Sequence, residues 1–315
     1  MLRGFKLAAC AGVAVMMWCG AAAAAEPESC KAVRFADVGW TDITSTTATA
    51  SVILEALGYQ PEAQVLSIPV TYTSLKNKDI DVFLGNWMPT MEADVKPYFD
   101  DKSVESIATN LEGAKYTLAV PTYTYDEGLK SFADIAKFKD KLDGKIYGIE
   151  AGNDGNRLIQ KMIDDNTFDL SGFELVESSE AGMLAAVQKA VPSKQDVVFL
   201  GWEPHPMNKM IDMKYLSGGD DIFGPNFGGA TVYTNVRAGY TTECPNVGKF
   251  IKNLVFSLGM ENEIMGAILN DGAEPKAAAT AWLKKNPDAV TPWLEGVTTF
   301  DGGDAAAAVK SALGS

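Results

Sequence analysis

An α/β protein of two lobes, each built on a mostly parallel sheet, is what this sequence predicts, and three observations lead there. Apolar, β-rich runs alternate with amphipathic stretches along the chain, the pattern of repeated strand–helix units. An amino-terminal export signal, once removed, leaves more chain than a single hydrophobic core usually organises. Two cysteines then remain, Cys30 at the start of the mature chain and Cys244 late in it. A bridge between them would bring the first strand beside a late segment, as happens when one lobe is made from both ends and the other is inserted.

The signal comes first. Arg3 and Lys6 precede an apolar run through Val15, Met16, Met17 and Trp18, and the small residues Ala21 to Ala25 follow before Glu26. This is the order of a secretory signal peptide over 1–25. Leu7-Ala8-Ala9-Cys10 looks like a lipid-attachment site but precedes most of the apolar core, where such cleavage does not normally fall. No later stretch approaches the roughly 20 apolar residues of a spanning helix, so the mature chain is expected to be soluble and periplasmic. Cys10 and Cys19 leave with the signal. In an oxidising compartment Cys30 and Cys244 suggest one disulfide, the alternative being two separate buried thiols.

Charge narrows the partners. The net charge of −14 falls by two, to −16, when Arg3 and Lys6 are removed, which excludes nucleic acid because its phosphates would be repelled. A cationic solute is weakly favoured, although acidic residues that merely maintain solubility produce the same sign.

Taken in order, Val33 to Val38 reads as a strand and Thr47 to Leu57 as an amphipathic helix; Ala63 to Ile68, Asp81 to Leu84 and Tyr116 to Val120 read as strands. Lys145 to Ile149 is a further strand, followed by a helix over Asn156 to Asp165 whose Leu158, Ile159, Met162 and Ile163 fall at core spacing. The expected division is a discontinuous first lobe of 26–115 plus 231–315 and an inserted lobe of 116–230. Two hinge crossings are expected, near Ala114 to Val120 and Phe227 to Val236.

One internal echo points to the site. Asp81-Val82-Phe83-Leu84-Gly85-Asn86-Trp87-Met88-Pro89 is matched by Asp196-Val197-Val198-Phe199-Leu200-Gly201-Trp202-Glu203-Pro204, each a buried strand leading to Gly, Trp and Pro. Ligands of open α/β sheets sit outside the carboxyl ends of strands, so the two indoles are placed to face each other across a cleft; ordinary packing is the alternative. Trp40 and Asp42 follow Val33 to Val38, and Asn153 follows Lys145 to Ile149, at the same kind of position. Aromatic faces suit a permanent cation that has no hydrogen-bond donors, each ring contributing about 0.5 to 2 kcal/mol. Asp42 also reads as a cap of a helix beginning near Thr44, and Asn153 as a turn residue of Gly-Asn-Asp-Gly.

Gly39-Trp40-Thr41-Asp42, Gly85-Asn86-Trp87-Met88-Pro89, Tyr116, Gly152-Asn153-Asp154-Gly155 and Gly201-Trp202-Glu203-Pro204 together resemble the glycine betaine and choline class of ABC-transporter solute receptors, across essentially the whole mature chain. The resemblance implies a two-lobed, type II-like periplasmic binding protein that closes over its solute and delivers it to an ABC permease in the inner membrane. It implies an aromatic box of Trp40, Trp87, Tyr116 and Trp202 around a trimethylammonium group, with Asp42 and Asn153 at the charged head and the hydroxyl end. Choline suits Asp42 better than glycine betaine, whose carboxylate an ionised Asp would repel. Acetylcholine and other betaines are further candidates, no cofactor is implied, and a monomer is expected.

Competing classes lack their motifs. His205, the single histidine, lies between two prolines with no Gly-x-Ser-x-Gly elbow or His-Glu-x-x-His site to serve, so it reads as a loop residue and a choline-ester hydrolase is disfavoured. No phosphate-binding glycine pattern is present, and the alanine-rich tail Ala305 to Ala308 is most simply a terminal helix. A betaine receptor of the same architecture and a sensor receptor without a permease remain as alternatives.

Overall fold

The structure, a computed structural model, describes Met1 and residues 26–314; the expected signal peptide and the Leu7–Cys10 motif otherwise lie outside the described residues. Nine strands share one strongly crossed sheet: β1 (Ala32–Asp37), β2 (Gln60–Val65), β3 (Val82–Met88), β4 (Val104–Pro121), β5 (Lys145–Tyr147), β6 (Glu174–Val176), β7 (Phe199–Glu203), β8 (Met213–Tyr215) and β9 (Gly229–Arg237). Their order is β2-β1-β3-β9-β4-β7-β5-β6, with β8 also on β4. Two parallel blocks stand out, β2-β1-β3 and β7-β5-β6. Between them β9 and β4 run antiparallel to their neighbours.

β4 is the element that joins the blocks. It pairs with β9 from Val104 to Lys115 and with β7 from Lys115 to Ala119, so the change of partner falls where a crossing is expected. Only its second half was legible as a strand. Val104 to Lys115 carries Glu, Ser, Asn and Gly, and three register shifts against β9 break the alternation that would reveal a strand.

The long helix Thr41–Ala56 begins earlier than the apolar pattern suggests, because its first turns are Thr, Asp and Ser. Those residues are buried all the same, and several hydroxyls satisfy themselves on the preceding turn, such as Ser45 on the Asp42 carbonyl at 2.8 Å and Thr49 on Ser45 at 2.8 Å. Ala63 to Ile68 resolves into the end of β2 and, at Ile68, the start of the helix Ile68–Asn77.

Cys30 and Cys244 form a disulfide with Cα atoms 5.5 Å apart across 214 residues of sequence. Closing so long a loop stabilises by roughly 5 kcal/mol in a chain-entropy description. The same corner is fastened by Glu26, whose Oε1 accepts from the Asn246 amide at 2.6 Å. The stretch that leads into β1 is therefore tied to the segment around Cys244 and Asn246.

Candidate functional site

The site is built from loops and strand ends on both blocks. After β1, Gly39 takes a left-handed φ of +82°, a turn that a side chain would strain. Asp37 holds this turn by accepting from the Gly39 amide and the Thr44 hydroxyl, each at 2.7 Å. Trp40 then becomes the N-cap of the helix Thr41–Ala56, and Asp42 falls in its first turn. Trp87 lies at the end of β3. From the other side, Tyr116 of β4 and Trp202 of β7 are directly opposite in antiparallel register, which places their side chains on one face of the sheet.

These side chains meet. Trp40, Asp42, Trp87, Tyr116 and Trp202, with Ile149, wall one small cavity, and every one of them is buried. Tyr116 is the middle ring, 6.1 Å from Trp87 and 6.3 Å from Trp202 between centroids, each contact edge-to-face. Gly155 makes room for it: a Cβ there would lie 2.1 Å from the Tyr116 hydroxyl.

Asp42 is 1% exposed, and neither carboxylate oxygen has a hydrogen-bond partner among the described residues. The capping role is absent, since the N-cap is Trp40 and no side chain caps this helix. Burial, and then the negative charge of Glu180, push the Asp42 carboxyl well above its ordinary range. Burial also raises Asp37 and Glu150 nearby. A carboxyl group kept dry and unpaired is costly, by several kcal/mol if ionised; a cation in the cavity removes that cost.

Asn153 stands one layer behind the wall. Its Oδ1 caps the helix Asp154–Asp164 by accepting from the Asn156 amide at 3.0 Å, and accepts from the Tyr116 hydroxyl at 2.8 Å. It therefore orients Tyr116, and the turn chemistry read from Gly-Asn-Asp-Gly is present as well.

Three residues the sequence did not single out tie the blocks together around the cavity. Glu150 accepts from the Trp40 indole at 2.8 Å. Glu180 accepts from the amide and the hydroxyl of Thr41 at 2.8 and 2.6 Å. Arg157 donates to the Thr90 carbonyl at 2.9 Å and to Asp94 at 2.7 Å. His205 does lie in a loop, yet it is buried, with its ring 4.8 Å from Trp202 and its Nε2 3.0 Å from Glu180. Among the described residues no group of His, Cys, Asp and Glu could hold a metal ion, and no helix is long and apolar enough to cross a membrane.

Residues 31–285 match the family described as the substrate binding domain of the ABC-type glycine betaine transport system. The chain belongs to this family. Its members are the two-lobed binding components of importers and are not enzymes. A solved ABC-transporter choline-binding protein in complex with choline is 70% identical, covering 91% of this chain and 100% of its own, with a TM-score of 0.91. The unliganded, semi-closed conformation of a choline-binding protein, at the same identity and coverage, gives 0.85. Lactococcal OpuAC, closed around glycine betaine, is 26% identical over 84% of this chain and 99% of its own, with a TM-score of 0.76. The glycine betaine/carnitine transport binding protein GbuC of Listeria monocytogenes is 32% identical over 163 residues, 52% of this chain and 53% of that protein.

Proposed function

We propose that this chain captures choline in the periplasm and presents it to an ABC permease, holding the trimethylammonium group in the box of Trp40, Trp87, Tyr116 and Trp202. The observation that carries this reading is Asp42: a buried carboxyl group with no hydrogen-bond partner among the described residues, on the wall of a cavity otherwise lined by aromatic rings and Ile149. A primary ammonium would need several acceptors. A quaternary one needs a counter-charge and π-faces, which this wall supplies. Asp42 balances the charge and is the acceptor for the choline hydroxyl, while Asn153 sets the Tyr116 ring.

The lobes of this reading are 26–115 with 231–315, and 116–230. Trp40, Asp42 and Trp87 belong to the first, Tyr116 and Trp202 to the second, so the box is complete only when the cleft is shut. Ligand then stabilises the closed form by interacting with both walls at once. The complete burial of every wall residue, and the higher similarity to a choline-bound relative than to an unliganded one, both support a closed arrangement here.

Calorimetric titration of the ligand-stripped mature protein tests the proposal. Micromolar choline binding at one site, about −8 kcal/mol, with glycine betaine much weaker, is the expected result. Preference for betaine would keep the box and overturn the role given to Asp42.

A further inference from the structure

The aromatic box leaves open where a ligand carboxylate would find donors, and the structure contains such a set, already occupied. The amide of Thr41 is the first donor of a 16-residue helix, and its N-cap, Trp40, has no side-chain hydrogen bond to offer it. The Thr41 hydroxyl is a second donor. His205 supplies a third: its Nδ1 accepts from the Met207 amide at 2.9 Å, so in the neutral ring the hydrogen sits on Nε2 and points to Glu180. All three converge on one carboxylate, Glu180, at 2.8, 2.6 and 3.0 Å. Two of them meet Oε1 and one meets Oε2, so Glu180 acts purely as an acceptor.

This cluster borders the cavity wall at two places. Thr41 lies between the wall residues Trp40 and Asp42, and His205 packs edge-on against the wall residue Trp202. It also spans the two blocks, since Thr41 follows β1 while Glu180 follows β6 and His205 follows β7. Glu180 is itself buried. A helix N-terminus with an added hydroxyl and imidazole is a strong carboxylate site, and a second carboxylate brought to it would meet both an occupied place and a like charge.

We propose that Glu180 is a specificity-determining residue: its carboxylate fills, from within the protein and across the cleft, the donor set that a carboxylate-bearing quaternary amine would require. Closure is thereby wired to a cation that brings no acid group of its own. The inference rests on the choline reading of the box and adds to it an active exclusion of betaines, separate from the counter-charge supplied by Asp42.

The test is parallel calorimetric titration of wild-type, Glu180→Ala and Glu180→Gln mature protein with choline and with glycine betaine. Removing the carboxylate breaks the clasp, so choline affinity is expected to fall at least tenfold in Glu180→Ala. Betaine affinity should hold or rise because the donors are vacated, so the choline-to-betaine preference falls at least tenfold. Glu180→Gln, which keeps the shape and removes only the charge, should lower the preference about threefold and decides the matter if the alanine variant does not fold. Equal losses for both ligands in the folded variants would make Glu180 a closure strut without a role in selectivity. Wild-type protein that binds neither ligand would overturn the choline reading together with this inference, an outcome distinct from the last.

Discussion

The strand ends that carry Trp87 and Trp202 have nearly the same sequence and different surroundings. Trp202 is in cross-strand register with Tyr116, so this pair is set by sheet hydrogen bonds whatever the cleft does. Trp87 pairs instead with Val232 of β9 and reaches Tyr116 only by packing from the other block. Behind Trp202 stands a chain of contacts, His205 to Glu180 to Thr41; behind Trp87 the indole Nε1 is buried with no partner among the described residues. The repeat thus yields one ring built into a preorganised half-site and one that arrives on closure. Similar local sequence, placed in two different sheet contexts, performs two different jobs.

That contrast is open to direct attack. Trp202→Ala should have the largest effect, a loss of choline affinity of about a hundredfold, because it removes a ring and the surface against which His205 packs. Trp87→Ala should cost at least tenfold, about 1.4 kcal/mol or more. Calorimetry on both variants checks the order, and equal losses would erase the distinction between the half-sites. Asp42→Asn should weaken choline about tenfold and betaine less; equal losses would return Asp42 to a purely structural role.

Acid titration sharpens the same comparison. Burial and the charge of Glu180 hold the Asp42 carboxyl well above its ordinary range, so it retains its proton where a free Asp has lost it. A bound cation favours the ionised form, and choline binding should therefore release a proton and weaken as pH falls through that raised range. Folding stability without choline has the opposite sign: a raised folded-state pKa contributes stability at low pH that is lost as pH rises through it. Titration in two buffers of different ionisation enthalpy reads the released proton, and Asp42→Asn should abolish it. Asp37, Glu150 and Glu261 are buried carboxyls raised in the same region, so a residual dependence in that variant would assign the proton to them.

Smaller effects are expected further out. Gly155→Ala should push the Tyr116 ring from its seat and cost choline a few-fold in affinity, with Trp202 undisturbed. Replacing Cys30 and Cys244 by serine should lower stability by about 2–5 kcal/mol while leaving affinity nearly unchanged. Thermal melts with and without choline separate these two results. An affinity loss in the serine variant would mean that the tied ends of the chain take part in closing the cleft.

Much of the site was legible because its residues sit at strand ends, where composition and order are informative. Trp40, Trp87 and Trp202 each follow an apolar run, and the repeated Trp-x-Pro segments mark two such runs as equivalent. Asn153 was legible as a turn residue and as a candidate contact, and the structure places it behind Tyr116 instead of on the wall. Asp42 remained divided between capping and charge until its surroundings were known. Glu150 and Glu180 left no trace: Glu180 reads as an ordinary acid in the first turn of the helix Glu180–Ala190, and its partner Thr41 is 139 residues away. His205, isolated between prolines, reads as a loop residue, and its burial against Trp202 is not evident from the sequence.

By itself the sequence determined the alternation of strands and helices, the presence of two cysteines free to pair, and the stock of aromatic residues at strand ends, because these depend on near neighbours and on composition. Only the tertiary structure decided which rings share a cavity, that the Asp42 carboxyl is left without a partner, and that Glu180 takes the donors of Thr41 and His205. Desolvation, hydrogen-bond saturation and charge repulsion act through space between segments more than a hundred residues apart in the chain, and nothing in the local order of residues records them.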